Sequence, residues 1–266
     1  MASTGAKVFL DVKTPGGTSF ELKTFRGVER LSDLFEYTLI MTTQNRDVVF
    51  DSLMNQSTTV SLSVGSLIRT YNGIIGRFEQ EDTPFKPLNI TSVYKATLYP
   101  KLWLLTFSGQ CRIFQNKSAL DIIESVLVEN QIPYSNQVIT SGRQLREYCV
   151  QYNETDFNFI SRLMEEEGIY YFFQQTPVNH SLVLGDSVEG HPFCPNAESV
   201  SFHDVGPHEP FMMTVSSCFI KQRIVPESNT IKSYNYLMPQ TPLKAQAMGT
   251  PDADGGEITT YDEIYD

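Results

Sequence analysis

Apolar and polar residues alternate along much of the first hundred positions, and this period of two predicts a series of short strands. Val8, Leu10 and Val12 alternate with polar neighbours. The same period recurs in four further segments, at residues 20–25, 35–39, 60–64 and 93–99. Since successive side chains of a strand point to opposite faces, this pattern favours an antiparallel barrel or sandwich.

Glycine-containing segments predict where the chain reverses between these strands. Residues 14–17 (Thr-Pro-Gly-Gly) follow the first strand, and residues 71–73 (Tyr-Asn-Gly) precede a strand that begins at Ile75. Asn and Gly tolerate positive φ angles at little steric cost. We therefore expect a turn at each of these two segments.

A helical pattern appears after a dense apolar patch at residues 101–105, which holds the only tryptophan. Ser118 lies three residues before Asp121, a variant of the capping box that begins a helix. The apolar stripe of this helix is predicted to comprise Leu120, Ile123, Val126 and Leu127.

Residues 146–173 (REYCVQYNETDFNFISRLMEEEGIYYFF) are the most closely specified segment, because a strand, a capped helix and an aromatic strand follow one another almost without linkers. Thr155 is the predicted N-cap, Asp156 suits the positive end of the helix dipole, and Gly168 suits a left-handed C-cap. The predicted buried face comprises Phe157, Ile160, Leu163 and Met164. Residues 169–173 and 182–186 are expected to form a hairpin.

The last part of the chain has a weaker pattern. Strands are predicted at Met212–Arg223 and Thr230–Tyr236. Beyond Pro242 the composition becomes rich in Ala, Gly, Thr and Asp, which predicts a mobile or partner-dependent segment.

Composition and charge exclude several classes of protein. The 266 residues are 41% apolar, which is typical of a globular chain, and no apolar run approaches the roughly 20 residues of a membrane helix. With 20 basic and 31 acidic residues the net charge is −11, which disfavours binding to nucleic acid. The N-terminus lacks the pattern of a signal peptide.

Cysteine and histidine positions give little indication of chemistry. The four cysteines lack close pairing, so buried free thiols are expected ahead of disulfides or metal ligation: Cys111, Cys149, Cys194 and Cys218. The four histidines are predicted to be loop residues, mostly on the surface: His180, His191, His203 and His208. A metal site formed by the last two with Asp204 is disfavoured, because Gly206 and Pro207 interrupt any helical spacing.

No catalytic constellation is apparent. The chain has no phosphate-binding glycine loop, no nucleophile elbow and no carboxylate pair suited to glycoside hydrolysis. Glu165, Glu166 and Glu167 lie in the last helical turn, where the helix dipole disfavours negative charge. We favour a solvated helix end paired with Arg162 and its neighbours over a docking surface for a basic partner or a carboxylate site. No catalytic, cofactor-binding or metal-binding residue is therefore predicted, and no cofactor.

Four segments together resemble a known family. They are residues 25–39 (FRGVERLSDLFEYTL), 99–127 (YPKLWLLTFSGQCRIFQNKSALDIIESVL), 146–173 and 182–186. They are similar to the N-terminal part of VgrG, the spike protein family of bacterial type VI secretion, which is related to the baseplate hub protein of contractile-tailed phages. Residues 187–266 match the family more loosely.

The resemblance implies a mainly β fold with α insertions (α+β), built from two related antiparallel β-barrels. Residues 1–108 would form the first barrel, residues 109–168 a helical insertion, and residues 169–266 a truncated second barrel with an acidic C-terminal segment. Family members continue with the rest of that barrel, an OB-type domain and a needle. A fragment, a processed form and a short homologue are therefore all compatible with this sequence.

The function implied by the resemblance is structural. Three copies would form a ring that joins the hexameric tube protein Hcp to the puncturing needle, in contact with baseplate proteins and with effectors or adaptors. Assembly would take place in the cytoplasm, followed by secretion through the apparatus without a signal peptide, and the target membrane would be reached only by mechanical puncture. The alternatives are a hub of a phage or phage-derived particle and, more remotely, a cell-wall-acting enzyme or carbohydrate-binding module.

Overall fold

The computed structural model describes ten segments of the chain: residues 8–13, 19–45, 47–64, 67–81, 92–139, 144–188, 218–220, 227–234, 238–248 and 257–261. Contacts divide the chain into two units, one formed by residues 1–199 with 207–212 and the other by residues 200–206 with 213–266. Several predicted features lie outside the described residues: the turn at residues 14–17, Cys194, Asp204 and the histidines His191, His203 and His208.

Six strands of the larger unit form one antiparallel sheet in the order β1-β4-β5-β6-β3-β2. Their bounds are β1 Val8–Lys13, β2 Glu21–Val28, β3 Glu36–Thr43, β4 Ser57–Val64, β5 Leu67–Glu81 and β6 Ser92–Tyr99, with a 3₁₀ helix at Phe50–Ser52. The edge strands β1 and β2 also approach each other, so the sheet curls. The predicted mainly β fold with helical insertions is confirmed.

The buried face of this sheet follows the predicted alternation. Fully buried side chains occupy alternate positions of β3 and β6: Tyr37, Leu39, Met41, Tyr94, Ala96 and Leu98. The core is strongly aromatic, since Phe35 stacks on Tyr37 at a centroid distance of 4.4 Å and Phe78 stacks on Tyr94 at 5.4 Å. Such pairs stabilise a core beyond the area that they bury.

The turn predicted at residues 71–73 is wrong, because these residues lie inside the 15-residue strand β5. The strand register pairs Val64 with Leu67, so the chain reverses between those two residues. Asn72 is 1% exposed and satisfies its amide group by bonds inside the fold. A Cβ atom on Gly73 would lie 3.0 Å from Leu98 Cβ and from the carbonyl oxygen of Tyr99, so glycine is required here for close packing rather than for a turn.

A second group of elements follows the sheet in the same unit. A 3₁₀ helix at Lys101–Thr106 is followed by β7 Gly109–Lys117, α1 Ala119–Glu129, β8 Tyr134–Asn136, β9 Arg146–Thr155, α2 Asp156–Glu166, β10 Tyr170–Gln175 and β11 His180–Gly185. β7 and β9 form a two-stranded antiparallel ribbon. β10 and β11 form the predicted hairpin, and β8 extends it through a parallel pairing with β11.

The predicted helix caps are confirmed. Ser118 Oγ accepts the backbone N–H of Asp121 at 3.2 Å. The carboxylate of Asp121 accepts the hydroxyl of Ser118 and its backbone N–H, and these two bonds lower the pKa of the carboxyl group. Thr155 Oγ1 accepts the N–H of Asn158 at 3.1 Å, and Gly168 adopts a φ angle of 67°. Local signals therefore fixed both ends of α2.

The buried faces of the two helices are wider than predicted. In α1, Ile122 is fully buried together with Ile123, Val126 and Leu127, whereas Leu120 of the predicted stripe is only half-buried. In α2, Phe159 is fully buried whereas Phe157 is half-buried. The β7–β9 ribbon accounts for the burial of Phe159 in α2, because Phe114 of β7 stacks on it at a centroid distance of 5.6 Å.

The smaller unit contains a three-stranded sheet in the order β13-β12-β14, formed by β12 Ser228–Ser233, β13 Leu243–Met248 and β14 Glu257–Tyr261. β12 overlaps the strand predicted at Thr230–Tyr236, whereas most of Met212–Arg223 lies outside the described residues. Two strands occur in the segment after Pro242, where composition predicted mobility or dependence on a partner. Both strands are formed by backbone hydrogen bonds to β12, and the composition of the segment does not indicate this pairing.

A substitution at Gly76 tests the packing of the aromatic pair Tyr99 and Trp103, whose rings stack 4.5 Å apart. A Cβ atom on Gly76 would lie 2.6 Å from Tyr99 and 2.8 Å from Trp103. We expect Gly76→Ala to lower the free energy of unfolding by about 1–3 kcal/mol through overpacking. Urea denaturation measures this loss, and the fluorescence of the single tryptophan reports the local change.

Gly109→Ala is the matched control, since Gly109 also lies in a strand but the nearest atom to its added Cβ would be 4.0 Å away. Equal losses in the two variants would mean that the change in backbone propensity, and not the aromatic pair, sets the cost.

Candidate functional site

Asp156 is fully buried, although the sequence suggested only a favourable position at the helix N-terminus. Its Oδ1 accepts bonds from Arg112 Nη2 at 2.6 Å and from Gln151 Nε2 at 2.8 Å. Its Oδ2 accepts a bond from Ser108 Oγ at 2.9 Å. The negative charge of the Asp156 carboxylate and its hydrogen-bonding capacity are both compensated, so this group holds β7, β9 and α2 together. It is therefore not available as a general base.

Glu166 and Glu167 at the end of α2 are paired with arginines. Arg146 lies 2.8 Å from Glu166 and 3.0 Å from Glu167. Arg162 lies 2.8 Å from Glu154 and 3.6 Å from Glu166. This arrangement supports the interpretation of a solvated helix end whose charges pair with Arg162 and its neighbours.

His180 is buried, which contradicts its prediction as a surface loop residue. It begins strand β11 and is 5% exposed. Its Nε2 accepts the backbone N–H of Lys101 at 2.9 Å, and its Nδ1 lies 2.8 Å from Asn72 Oδ1. Because a backbone N–H can only donate, the ring is neutral and carries its proton on Nδ1, which donates to Asn72. Burial, with a contribution from Lys101, lowers the pKa of His180 to about 4.

Asn72 is the centre of a polar cluster that joins the six-stranded sheet to the β10–β11 hairpin. Its Nδ2 donates to Ser57 Oγ at 3.0 Å and to Thr59 Oγ1 at 2.9 Å, both on β4. Its backbone N–H donates to Gln175 Oε1 at 2.9 Å. With the bond from His180, one asparagine links β4, β5, β10 and β11.

The cluster extends through Gln175 to the loop between β2 and β3. Gln175 Nε2 donates to Tyr37 Oη at 2.9 Å, and Tyr37 in turn donates to Glu29. Burial raises the pKa of Tyr37 well above its usual range, with a further contribution from Glu29. The phenol therefore stays neutral and acts as a donor within the structure.

The expectation of buried free thiols is partly wrong. The three described cysteines are free, as expected, but Cys111 and Cys218 are exposed and only Cys149 is buried. Cys111 lies at a bulge between Gln110 and Arg112, on a ribbon strand that has one neighbouring strand. Burial raises the pKa of the Cys149 thiol, which disfavours the reactive thiolate.

No group of three metal-ligating side chains occurs among the described residues. A surface groove beside α1 holds three carboxylates, each with a partner inside the chain: Asp121 binds Ser118, Glu124 binds Asn136 and Glu129 binds Arg112. Within the same described part of the chain, no helix has the length and apolar character needed to cross a membrane.

The sequence analysis did not identify the burial of His180 or of Asp156. For His180, the sequence contains a pattern that indicates it. His180 precedes Leu182 and Leu184 at a period of two, and both leucines are buried. That alternation places the histidine on the buried face of a strand. Asp156 had no such signal, because its partner Arg112 lies 44 positions earlier in the chain.

Replacing Asp156 tests how far the buried ion pair stabilises the fold. We expect Asp156→Ala to lower the free energy of unfolding by about 3–5 kcal/mol, because Arg112, whose side chain is 17% exposed, loses its buried partner. Chemical denaturation followed by circular dichroism measures this loss.

Glu129→Ala is the matched control, since Glu129 pairs with the same guanidinium at the same distance of 2.6 Å but is 58% exposed. Its cost should stay below about 1 kcal/mol. Similar costs for the two variants would contradict the assignment of the stabilisation to the buried carboxylate.

A family model described as the phage tail baseplate hub (GPD) matches residues 28–266. The type VI secretion system spike protein VgrG1b of Pseudomonas aeruginosa is 36% identical over 190 residues, which cover 71% of this chain and 25% of that protein. The chain spans about a quarter to a third of the length of the curated relatives that it matches.

Two solved structures share the fold. The c3393 protein of E. coli, described as a component of the type VI secretion system with structural similarity to the T4 bacteriophage tail proteins gp27 and gp5, matches with a TM-score of 0.61 and 27% identity over 68% of this chain and 50% of that chain. A 43 kDa tail protein of prophage MuSo2 from Shewanella oneidensis matches with a TM-score of 0.57 and 16% identity over 97% of this chain and 74% of that chain. The second match is evidence of a common fold alone.

Proposed function

The chain belongs to the phage tail baseplate hub (GPD) family, and on this basis we propose that it is a structural hub module of a type VI secretion spike. The observation that carries the proposal is the 36% identity with a spike protein over 71% of the chain. The specific relation to a secretion spike, rather than to a phage tail, rests on that relative.

The buried polar clusters support a mechanical role. A hub that transmits force has to keep its parts in fixed positions, and fully satisfied buried networks make a fold rigid and specific. Asp156 and Asn72 each bond to several elements that are distant in sequence. Their side chains serve the fold, which supports a module without catalytic activity.

We further propose that three copies form a ring that joins the hexameric tube protein to the puncturing needle. Baseplate proteins and effectors or adaptors would be its other partners. The module would assemble in the cytoplasm and leave the cell through the secretion apparatus. The division into a first barrel at residues 1–108, an insertion at 109–168 and a second barrel from 169 remains part of this proposal.

A hub of a phage or phage-derived particle is the second candidate. The family description favours it. The two candidates differ in the machine that accepts the module, so an exchange of parts can distinguish them.

A chimera tests the proposed function. The chain replaces the matching N-terminal segment of the Pseudomonas aeruginosa spike protein, in cells that lack their own copy. We expect the tube protein to appear in the culture medium at a level comparable to that with the intact spike. Immunoblotting of the medium and of the cells measures the secreted fraction.

The control is the same chimera with Asp156→Ala. This substitution weakens the contact between β7, β9 and α2 and leaves the surface of the module unchanged. Its secretion should fall in parallel with its stability. A chimera that folds and forms trimers but supports no secretion would contradict the proposal, as would digestion of cell wall by the isolated chain.

A further inference from the structure

The tip of the β10–β11 hairpin is bonded to the six-stranded sheet at Asn72 of β5 and, through Gln175, at Tyr37 of β3. Asn72 of β5 bonds to Gln175 at one end of the tip and to His180 at the other, and its Nδ2 lies 3.5 Å from the carbonyl oxygen of Val178 between them. The side chain of Val178 is 79% exposed, so the tip itself has little apolar attachment. Polar bonds therefore dominate the contact between the tip and the sheet.

We propose that His180 makes this contact an acid-sensitive latch, which holds residues 175–180 on the sheet when the ring is neutral and releases them when it is protonated. The argument rests on the two partners of the ring. Nδ1 already donates to Asn72, and Nε2 already accepts the backbone N–H of Lys101. A proton on Nε2 would place one donor against another, so the second bond would be lost.

The surroundings prevent the site from adapting to the protonated ring. Lys101 begins a 3₁₀ helix anchored by Leu102 and Leu105, which are 0% and 1% exposed. The backbone N–H of Lys101 is therefore held in position beside the ring. The rings of Phe35 and Phe173 contact the imidazole and offer no acceptor for the new proton. A charged imidazole buried in this way is strongly disfavoured, and the ring leaves the site.

The charged groups around the ring act in the same direction. Lys101 disfavours a second positive charge beside it. Glu29 and Tyr37 lie further along the cluster, beyond Gln175, and Glu29 is bonded to Tyr37. The polar neighbours from the other elements, Asn72 and Gln175, are uncharged. The bond from Nδ1 to Asn72 is kept in the imidazolium, but no described group accepts the proton on Nε2.

The direction of the pH effect follows from the pKa of His180, which is about 4 in the folded protein against about 6.5 when the ring is free. Between these values the released state binds more protons, so release becomes more favourable as the pH falls. The latch is fully closed above pH 6.5 and loses stability as the pH falls toward 4. The equilibrium for opening should rise roughly 100-fold between pH 7 and pH 4.

Hydrogen exchange of the 266-residue protein, followed by mass spectrometry and corrected for the intrinsic rate at each pH, tests the latch. We expect protection of a peptide that covers residues 174–181 to fall by about this factor between pH 7 and pH 4. Protection in β3 should change much less, because the backbone of β3 pairs with β2 and β6 and not with the hairpin. A uniform loss of protection in both regions would overturn the proposal, since it would indicate global unfolding.

His180→Gln removes the titrating group and keeps a side chain that can both donate and accept. In this variant the hairpin tip should be less protected from hydrogen exchange at pH 7. Its protection should also lack the steep dependence on pH between pH 6.5 and pH 4. An unchanged slope in this variant would also overturn the proposal, because other carboxyl groups would then account for the effect. If the variant does not fold, the comparison of the two regions in the wild-type protein decides the question.

Discussion

The carboxylate of Asp156 has to be compensated inside the fold, and this requirement constrains how β7, β9 and α2 are arranged. A buried charge without partners would cost several kcal/mol, so Arg112, Gln151 and Ser108 must converge on one point. These residues come from β7, from β9 and from the segment after the second 3₁₀ helix. Helix α2 can therefore begin only where the ribbon has already brought its donors together.

The polar cluster around Asn72 applies the same principle to the six-stranded sheet. Its amide group joins β4 and β5 on one side and the β10–β11 hairpin on the other. In both clusters the polar side chains bond to one another. Such hydrogen bonds hold strands and helices in fixed positions, which is consistent with membership of a hub family.

Features with a local cause could be predicted from the sequence. Alternation placed β3 and β6, and the caps at Ser118, Thr155 and Gly168 were identified from neighbouring residues alone. The failures depended on residues distant in sequence. Asn72 suggested a turn by its local propensity, but hydroxyl groups on the adjacent strand satisfy it inside β5.

In the candidate site too, local features could be predicted from the sequence and long-range contacts could not. The pairing of Glu166 with Arg162 was foreseen, because residues four apart on a helix are neighbours. Arg112 and Asp156 are 44 positions apart, and no periodicity in the sequence connects them. A network that is assembled by the fold can be recognised only after the fold is known.

The distance in sequence between Asn72 and its partners has a consequence for biosynthesis. The six-stranded sheet ends at Tyr99, whereas His180 follows Asn72 by 108 positions. At a synthesis rate of about 5–20 residues per second, the amide group would wait roughly 5 to 20 seconds for its partner. During that interval Asn72 Oδ1 lacks the partner that it has in the folded protein, and this is the period in which a chaperone would most benefit the emerging chain.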